Sequence, residues 1–175
     1  MSEQIWFLED KAIRVSFDTK GYAFYKGGRG ILGTPVEAYL RLIAVKGGEK
    51  MEIPSVSDLK GRVVIRSPEE ALEFVRLFTS IETHYLFPDI QYIEPTLANN
   101  APGLGEYTEE YKQRMNLEPP RYRQEGDVYV IERNLVDRDG KFFRATERVG
   151  RDGDYSLLKA LIIDEHSPVT YPTYE

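Results

Sequence analysis

The sequence predicts an α+β fold in which a mainly antiparallel, twisted sheet packs against one principal helix. Short runs of alternating apolar and polar residues occur in both halves of the chain, separated by turns that contain Asp and Gly. A central segment at about 68–83 instead has its apolar residues at helical spacing. Because 175 residues lie within the size range of one domain, we expect a single domain over residues 1–175.

The N-terminal part of the sequence is predicted to form a hairpin followed by a flexible loop. Residues 12–17 alternate, residues 18–21 supply turn residues that end in glycine, and residues 22–25 would form the returning strand. Residues 27–30 contain three glycines and are predicted to be a flexible break. The string G-x-G-x-x-G at 28–33 is interpreted as part of this loop, because Pro35 stands where a phosphate-binding helix would already be running.

A second hairpin is predicted further along, although its first strand has an alternative. Residues 37–45 fit a helix, since Thr34 and Glu37 have the spacing of a capping box, or a strand, since apolar residues alternate there. The strand is favoured, because the glycine pair at 47–48 and the short run 51–53 complete a hairpin.

The principal helix is predicted at about 68–83. Ser67 is a suitable N-cap, Pro68 suits the first helical position, and Glu70 places negative charge in the first turn. A short β-rich run at 62–65 precedes it.

The C-terminal part predicts a three-strand antiparallel meander with strands at 128–136, 141–149 and 155–163. The last segment has an alternative, because its leucines and isoleucines would also line one face of a short helix. Between helix and meander, residues 85–126 contain five prolines and are predicted to be an irregular, Pro- and Tyr-rich insertion.

Charge and composition restrict the functions to be considered. The net charge is −6, and residues 67–110 hold nine carboxylates but one cation, so nucleic-acid binding is not expected. The chain has no cysteine, which excludes disulfides, thiolate metal sites and a cysteine nucleophile. No leader and no membrane-spanning run are evident, so we expect a cytoplasmic protein with no membrane association, cofactor or metal.

Few residues suggest catalysis. The two histidines, His84 and His166, each stand near a carboxylate and are weak candidates for a general base. Neither belongs to a spaced catalytic motif, so ordinary surface or boundary histidines are the favoured interpretation. No nucleophile elbow and no P-loop occur in the sequence.

Tyrosine and arginine between residues 85 and 129 suggest a binding surface instead. Both side chains combine apolar area with polar reach and dominate contact energy at interfaces. The alternative is that these tyrosines are half-buried and hold the segment against the sheet. The candidate binding residues are Tyr107, Tyr111, Arg121, Tyr122 and Arg123.

Two functions follow from these patterns, with a third that is less favoured. The first is a small acidic, non-enzymatic module that binds a protein partner, in the manner of an inhibitor, an immunity-type protein or an adaptor. The alternative is a small-ligand-binding protein or enzyme with a pocket between helix and sheet, involving His84 or His166. Single-stranded nucleic acid would need the arginines of the meander, but carboxylates interleave with Arg133, Arg138, Arg144, Arg148 and Arg151.

Overall fold

The computed structural model describes residues 4–31, 41–80, 113, 119–136 and 142–165. Within these residues the chain forms two antiparallel four-stranded sheets and one principal α-helix. The predicted α+β class, with antiparallel sheet and a single principal helix, is confirmed.

The first sheet contains four strands that are neighbours in chain order: β1 (Gln4–Leu8), β2 (Ala23–Ile31), β3 (Arg41–Lys46) and β4 (Glu49–Ile53). Gly47 and Gly48 connect β3 to β4 with φ of +59° and +85°, which is the backbone that a two-residue hairpin turn requires. The predicted hairpin is therefore confirmed, and residues 41–45 are a strand as favoured. Residues 37–40 lie outside the described residues.

Two predictions for the N-terminal part are wrong. Residues 12–17 form no strand but a loop with one bridge, Ile13 to Phe24, and β2 pairs with β1 instead. Residues 27–30, predicted to be a flexible break, belong to β2. Glycine is needed there for another reason, because a Cβ on Gly27 would collide with the carbonyl oxygen of Phe7 on β1.

Helix α1 (Pro68–Ser80) begins where the sequence predicts. The Ser67 hydroxyl accepts a hydrogen bond from the Glu70 amide at 3.1 Å, which satisfies one of the free donors of the first turn. The predicted last turn, residues 81–83, lies outside the described residues. The predicted strand at 62–65 is reduced to one bridge, between Val64 and Asp18.

The second sheet also has its strands in chain order: β5 (Arg121–Glu125), β6 (Val128–Val136), β7 (Phe142–Gly150) and β8 (Tyr155–Asp164). Residues 155–163 are thus a strand, not a helix. The predicted three-strand meander is a four-strand one, because β5 lies inside the segment 85–126 that was predicted to be irregular. Apart from residues 113 and 119–126, that segment lies outside the described residues.

One apolar core joins both sheets and the helix. Its first-sheet members include Phe24 and Leu42, and α1 contributes Phe74, whose ring meets Phe17 edge-on with 5.7 Å between ring centroids. Tyr129, Ile131 and Val149 enter it from the second sheet. The side of the second sheet that carries these three residues is called the inner face.

The turn between β7 and β8 fastens the second sheet to the segment that follows β4. Its backbone carbonyls accept hydrogen bonds from Gly61 and Ile65, both at 2.7 Å. Lys60 and Asp154 add an ion pair at 2.9 Å. Gly153 has φ of +81°, and a Cβ there would lie 2.6 Å from Val63. This contact therefore requires glycine.

Candidate functional site

Strand register places a group of charged and polar side chains on one side of the second sheet. Side chains alternate between the two faces of a strand, so residues out of phase with Tyr129, Ile131 and Val149 point away from α1. We call this side the outer face. It carries Arg121, Arg123, Glu132, Asn134, Arg144 and Arg148.

A small cleft of about 10 Å³, with room for about one water molecule, lies on the outer face. Asn134 and Arg144 are direct cross-strand partners at one end of it, and Arg121 lies opposite Glu132 at the other. Pro119 closes one side, and Arg133 also borders the cleft. Guanidinium donors and oxygen acceptors are therefore present together in one small space.

Asn134 is the most unusual residue of the cleft. Its exposed fraction is 6%, yet its Oδ1 has no hydrogen-bond partner among the residues that the structure describes. Leaving a buried amide oxygen unpaired costs about 1–3 kcal/mol. The oxygen is itself closed to water, so no hydrogen bond from solvent offsets this cost.

The positive charge of the outer face is partly balanced. Arg123 donates to Glu132 at 2.9 Å and to Glu125 at 2.7 Å, and these bonds raise the pKa of its guanidinium above the usual value. Arg148 lies 3.7 Å from Asp154. Arginines 144 and 148 share one face of β7, as the sequence predicts for a strand, while Arg138 lies outside the described residues.

The inner face holds a buried ion pair directly behind the cleft. Arg133 binds Glu147 through two hydrogen bonds, Nε to Oε2 at 2.6 Å and Nη2 to Oε1 at 2.9 Å. The Tyr155 hydroxyl donates to the same carboxylate at 2.8 Å. Both charged side chains are almost completely buried, with exposed fractions of 0% and 1%. This triad separates the main core from a smaller apolar cluster of Leu135, Phe143, Ala145 and Leu157.

Strand β8 presents apolar side chains to solvent at the edge of the second sheet. The exposed fractions are 56% for Leu158, 52% for Leu161 and 44% for Ile162. Register shifts lie on both sides of the four residues 159–162, which pair regularly with residues 143–146. Leu161 is the cross-strand neighbour of Arg144, so this edge adjoins the cleft.

Only some of the residues predicted to bind a partner lie among those that the structure describes. Arg121, Tyr122 and Arg123 lie on β5, at the opposite edge of the same sheet from β8, and all three are exposed. Tyr107, Tyr111, His84 and His166 lie outside the described residues. Tyr129, the last tyrosine of the predicted Tyr-rich stretch, belongs to the core, with its hydroxyl 3.4 Å from the Ile65 carbonyl oxygen.

Asn134, Leu158 and Leu161 were not among the candidates predicted from the sequence. Asn134 has no motif around it, and its burial depends on strands that are distant in sequence. A signal did exist for β8, since residues 157–163 are apolar on both faces although β8 is the last predicted strand. A strand with apolar side chains on both faces at a sheet edge is typical of an interaction surface.

Among the described residues, no group of three or more His, Asp or Glu side chains is arranged to hold a metal ion. In the same part of the chain, no helix combines the length and apolar character needed to cross a bilayer. Comparisons with protein-family models, curated proteins and solved structures find no match to this chain.

Proposed function

We propose that this chain is a small, non-enzymatic protein-interaction module that binds an extended segment of a protein partner along the edge of β8. The observation that carries the proposal is the exposure of Leu158, Leu161 and Ile162 on a strand whose outer edge pairs with no other described strand. Extended segments bind such edges by adding one more strand, with side-chain contacts supplying specificity.

The bulges on β8 favour a short partner segment over indefinite self-association. Bulges twist an edge away from regular pairing, and a lysine on an edge opposes aggregation. Here the regular stretch is limited to residues 159–162 and contains Lys159. A partner strand of about four to six residues would match the stretch between the bulges.

Charge indicates the chemistry of the partner. Arg144 and Arg148 lie on the outer face beside β8, and Lys159 pairs with Thr146 on that same face. A segment that alternates apolar residues with carboxylates would complement this surface. A second copy of the chain is disfavoured, since each copy carries a net charge of −6.

The proposed location is the cytoplasm. A chain without cysteine forms no disulfides, and disulfides are rare in cytosolic proteins.

Site-specific photo-crosslinking tests the proposal. A photoreactive residue is placed at Leu161, at Tyr122 on the opposite edge, and at exposed Lys50 on β4 as a control, and the cells of origin are irradiated. The partner crosslinked from position 161 is then purified and its affinity measured. We expect Leu158→Thr with Leu161→Thr to weaken binding at least about tenfold, since anchor residues contribute about 2 kcal/mol or more.

Threonine retains strand propensity at these exposed positions, so the double variant should melt close to the wild type. Lys50→Thr should leave the affinity unchanged. A higher crosslinking yield from position 122 than from position 161 would indicate that the interface lies on β5, as the tyrosine and arginine pattern predicts. Crosslinks between two copies of the chain would contradict a foreign partner.

A second candidate function, small-ligand binding, rests only on the outer-face cleft, and it is the less favoured of the two because the cleft has room for about one water molecule. This cleft lies on the outer face, on the opposite side of the sheet from α1. It is therefore distinct from the pocket between helix and sheet that the sequence suggested for His84 or His166.

A further inference from the structure

We infer that Leu158 determines which strands can join β8: as the extra residue of a bulge, it excludes a second copy of the chain and leaves the edge to a foreign segment. The exclusion of a second copy depends only on the geometry of this edge. The admission of a foreign segment rests on the proposed function.

Leu158 has no opposite residue on β7. The preceding residue, Leu157, lies opposite Glu147. The following residue, Lys159, lies opposite Thr146, which directly adjoins Glu147 on β7. Leu158 is therefore the residue left over, and its side chain is 56% exposed. A bulge of this kind leaves one residue out of the ladder, bends the strand and increases its local twist. The edge of β8 is therefore bent at this residue.

The core packing of β8 is set by residues other than Leu158. Tyr155 packs against the main core and donates to Glu147 at 2.8 Å, and Leu157 packs against the smaller cluster. Deleting Leu158 would join Leu157 directly to the regular stretch 159–162, and every other residue would keep its partner and its face. The result would be one regular edge from residue 155 onwards. An exposed leucine in this position indicates a role at the surface.

A second copy of the chain would bring two bent edges together. Identical edges pair about a two-fold axis, which passes through the centre of the paired stretch. The second bulge of β8 lies at Ile163, which likewise has no opposite residue on β7. Leu158 and Ile163 are equally far from the centre of residues 159–162, so each would meet the other across the axis. Two copies would therefore pair regularly over four residues only, with both strands bent at each end.

A foreign segment meets a bulge on one side of the pairing only. It has no extra residue at a fixed position, so its backbone can follow the twist that Leu158 introduces. The side chain of Leu158 then lies beside the paired stretch, where it adds apolar contact. The same residue thus opposes self-pairing and favours a partner of other sequence.

Deletion of Leu158 tests the inference, with sedimentation velocity of the full chain as the measurement. We expect the wild type to remain monomeric and the deletion variant to associate with itself at least about tenfold more tightly, because more residues enter the ladder between copies. The runs are made at about 0.15 M salt and again at about 1 M, where the Debye length falls from about 8 Å to about 3 Å. The second condition screens most of the repulsion between copies that each carry a net charge of −6.

Two further variants separate the backbone from the side chain and allow for a folding defect. Leu158→Thr keeps the bulge but removes the leucine side chain, so it should remain monomeric like the wild type. Deletion of Ile163 removes the other bulge and should also promote self-association, which retains the test if the loss of Leu158 unfolds the protein. Thermal melting followed by circular dichroism shows which variants are folded.

Three results would overturn the inference. A folded deletion variant that stays monomeric would mean that the bulges do not keep copies apart. A wild type that associates at high salt as tightly as the deletion variant would assign this role to charge. Failure of both deletion variants to fold would mean that the sheet itself requires the extra residues. None of these results involves a foreign partner, whereas crosslinking from β8 does, so failure of this inference is distinguishable from failure of the proposed function.

Discussion

At the scale of single residues, the buried pair of Arg133 and Glu147 is the most demanding feature of the second sheet. The two residues are diagonal neighbours on the inner face, since Glu147 lies opposite Ile131 and Arg133 lies opposite Ala145. Removing charges from water costs several kcal/mol per ion, and only good geometry with further hydrogen bonds recovers it. The two-point contact and the Tyr155 hydroxyl supply those bonds.

Replacing one member of this pair should be costly, whereas replacing both should not. We expect Arg133→Met to destabilise the fold by about 3–5 kcal/mol, because Glu147 would keep a buried charge with no counterion. The double variant Arg133→Met, Glu147→Leu should recover most of this loss, since apolar residues of similar size replace a buried ion pair at little cost. Urea unfolding of wild type, single and double variants measures the difference. A double variant less stable than the single one would contradict this account.

The candidate cleft shows why single residues were hard to assign from the sequence. Alternation along β7 places Arg144 and Arg148 on one face, and this pattern can be read from neighbouring residues alone. The burial of Asn134 depends on residues of neighbouring strands that are distant in sequence, such as Arg144 opposite it on β7. No local pattern in residues 128–136 contains that information.

At the scale of elements, α1 contributes to the core and also binds the loop between β1 and β2. The Glu73 carboxylate accepts hydrogen bonds from the Ser16 amide, at 3.0 Å and 2.9 Å to its two oxygens, and from the Ser16 hydroxyl. Phe17, the next residue, packs against Phe74. One turn of helix thus fixes both a polar and an apolar residue of the loop.

Removing the Glu73 carboxylate should loosen this loop without unfolding the helix. Alanine is the best helix former, so Glu73→Ala leaves α1 intact while the Ser16 donors lose their partner. We expect amide exchange of residues 12–17 to become a few-fold to about tenfold faster. Hydrogen exchange read by mass spectrometry measures this, with Glu69→Ala on the exposed side of α1 as control. Unchanged protection at Ser16 would show that apolar contacts alone hold the loop.

The elements that the sequence predicted correctly are those with a strong local signal. Helix α1 has a cap, an acidic first turn and an apolar stripe, and the hairpin of β3 and β4 has a glycine pair. Strands β6, β7 and β8 have long apolar or alternating runs. In α1, β6 and β7 the apolar residues that favour the element also face the core, so local and tertiary preferences agree.

The elements that were missed have no such signal. Every residue of β5 is exposed, so the strand is a run of polar residues with one tyrosine and carries no apolar periodicity. In β2 the glycines at 27, 28 and 30 have low strand propensity, yet Gly27 and Gly30 allow the close approach of β1. Cross-strand pairing, which the sequence does not display, determines both strands.

At the scale of the whole molecule, exposed ion pairs tie separate segments of the fold to each other. Asp18 of the N-terminal loop lies 2.7 Å from Arg66, just before α1. Asp154 of the β7–β8 turn lies 2.9 Å from Lys60. The Lys20 backbone amide and then the Arg66 guanidinium lower the pKa of Asp18, and the Lys60 hydrogen bond lowers the pKa of Asp154.

These shifts predict how stability depends on pH. A carboxyl group with a lowered pKa in the folded state stabilises it above the ordinary value of 3.8, and this contribution is lost as pH falls through the folded pKa. We expect Tm to fall below about pH 4, and to fall less steeply in the variant Asp18→Asn, Asp154→Asn. Scanning calorimetry between pH 3 and 7 tests this, with Asp10→Asn as an exposed control. Equal slopes for wild type and the double variant would contradict it.

The dependence of stability on pH above neutrality follows from Lys60. Asp154 raises the pKa of Lys60 above 10.5, so its contribution is complete below that value and is lost as pH rises through the folded pKa. Lys60→Gln should therefore flatten the loss of stability above about pH 10.5. The Lys60–Asp154 contact between the β7–β8 turn and the segment after β4 therefore contributes to the loss of stability at both low and high pH.

That contact also affects how the chain is made. Gly61 and Ile65 find their carbonyl partners at Asp152 and Arg151, and the core shared by α1 and the first sheet is complete only when Tyr129, Ile131 and Val149 arrive. A ribosome adds about 5–20 residues per second, so the first sheet and α1 wait several seconds with their apolar surface uncovered. The N-terminal half therefore depends on the C-terminal half for a stable fold, and its synthesis includes an interval in which chaperones have an apolar surface to bind.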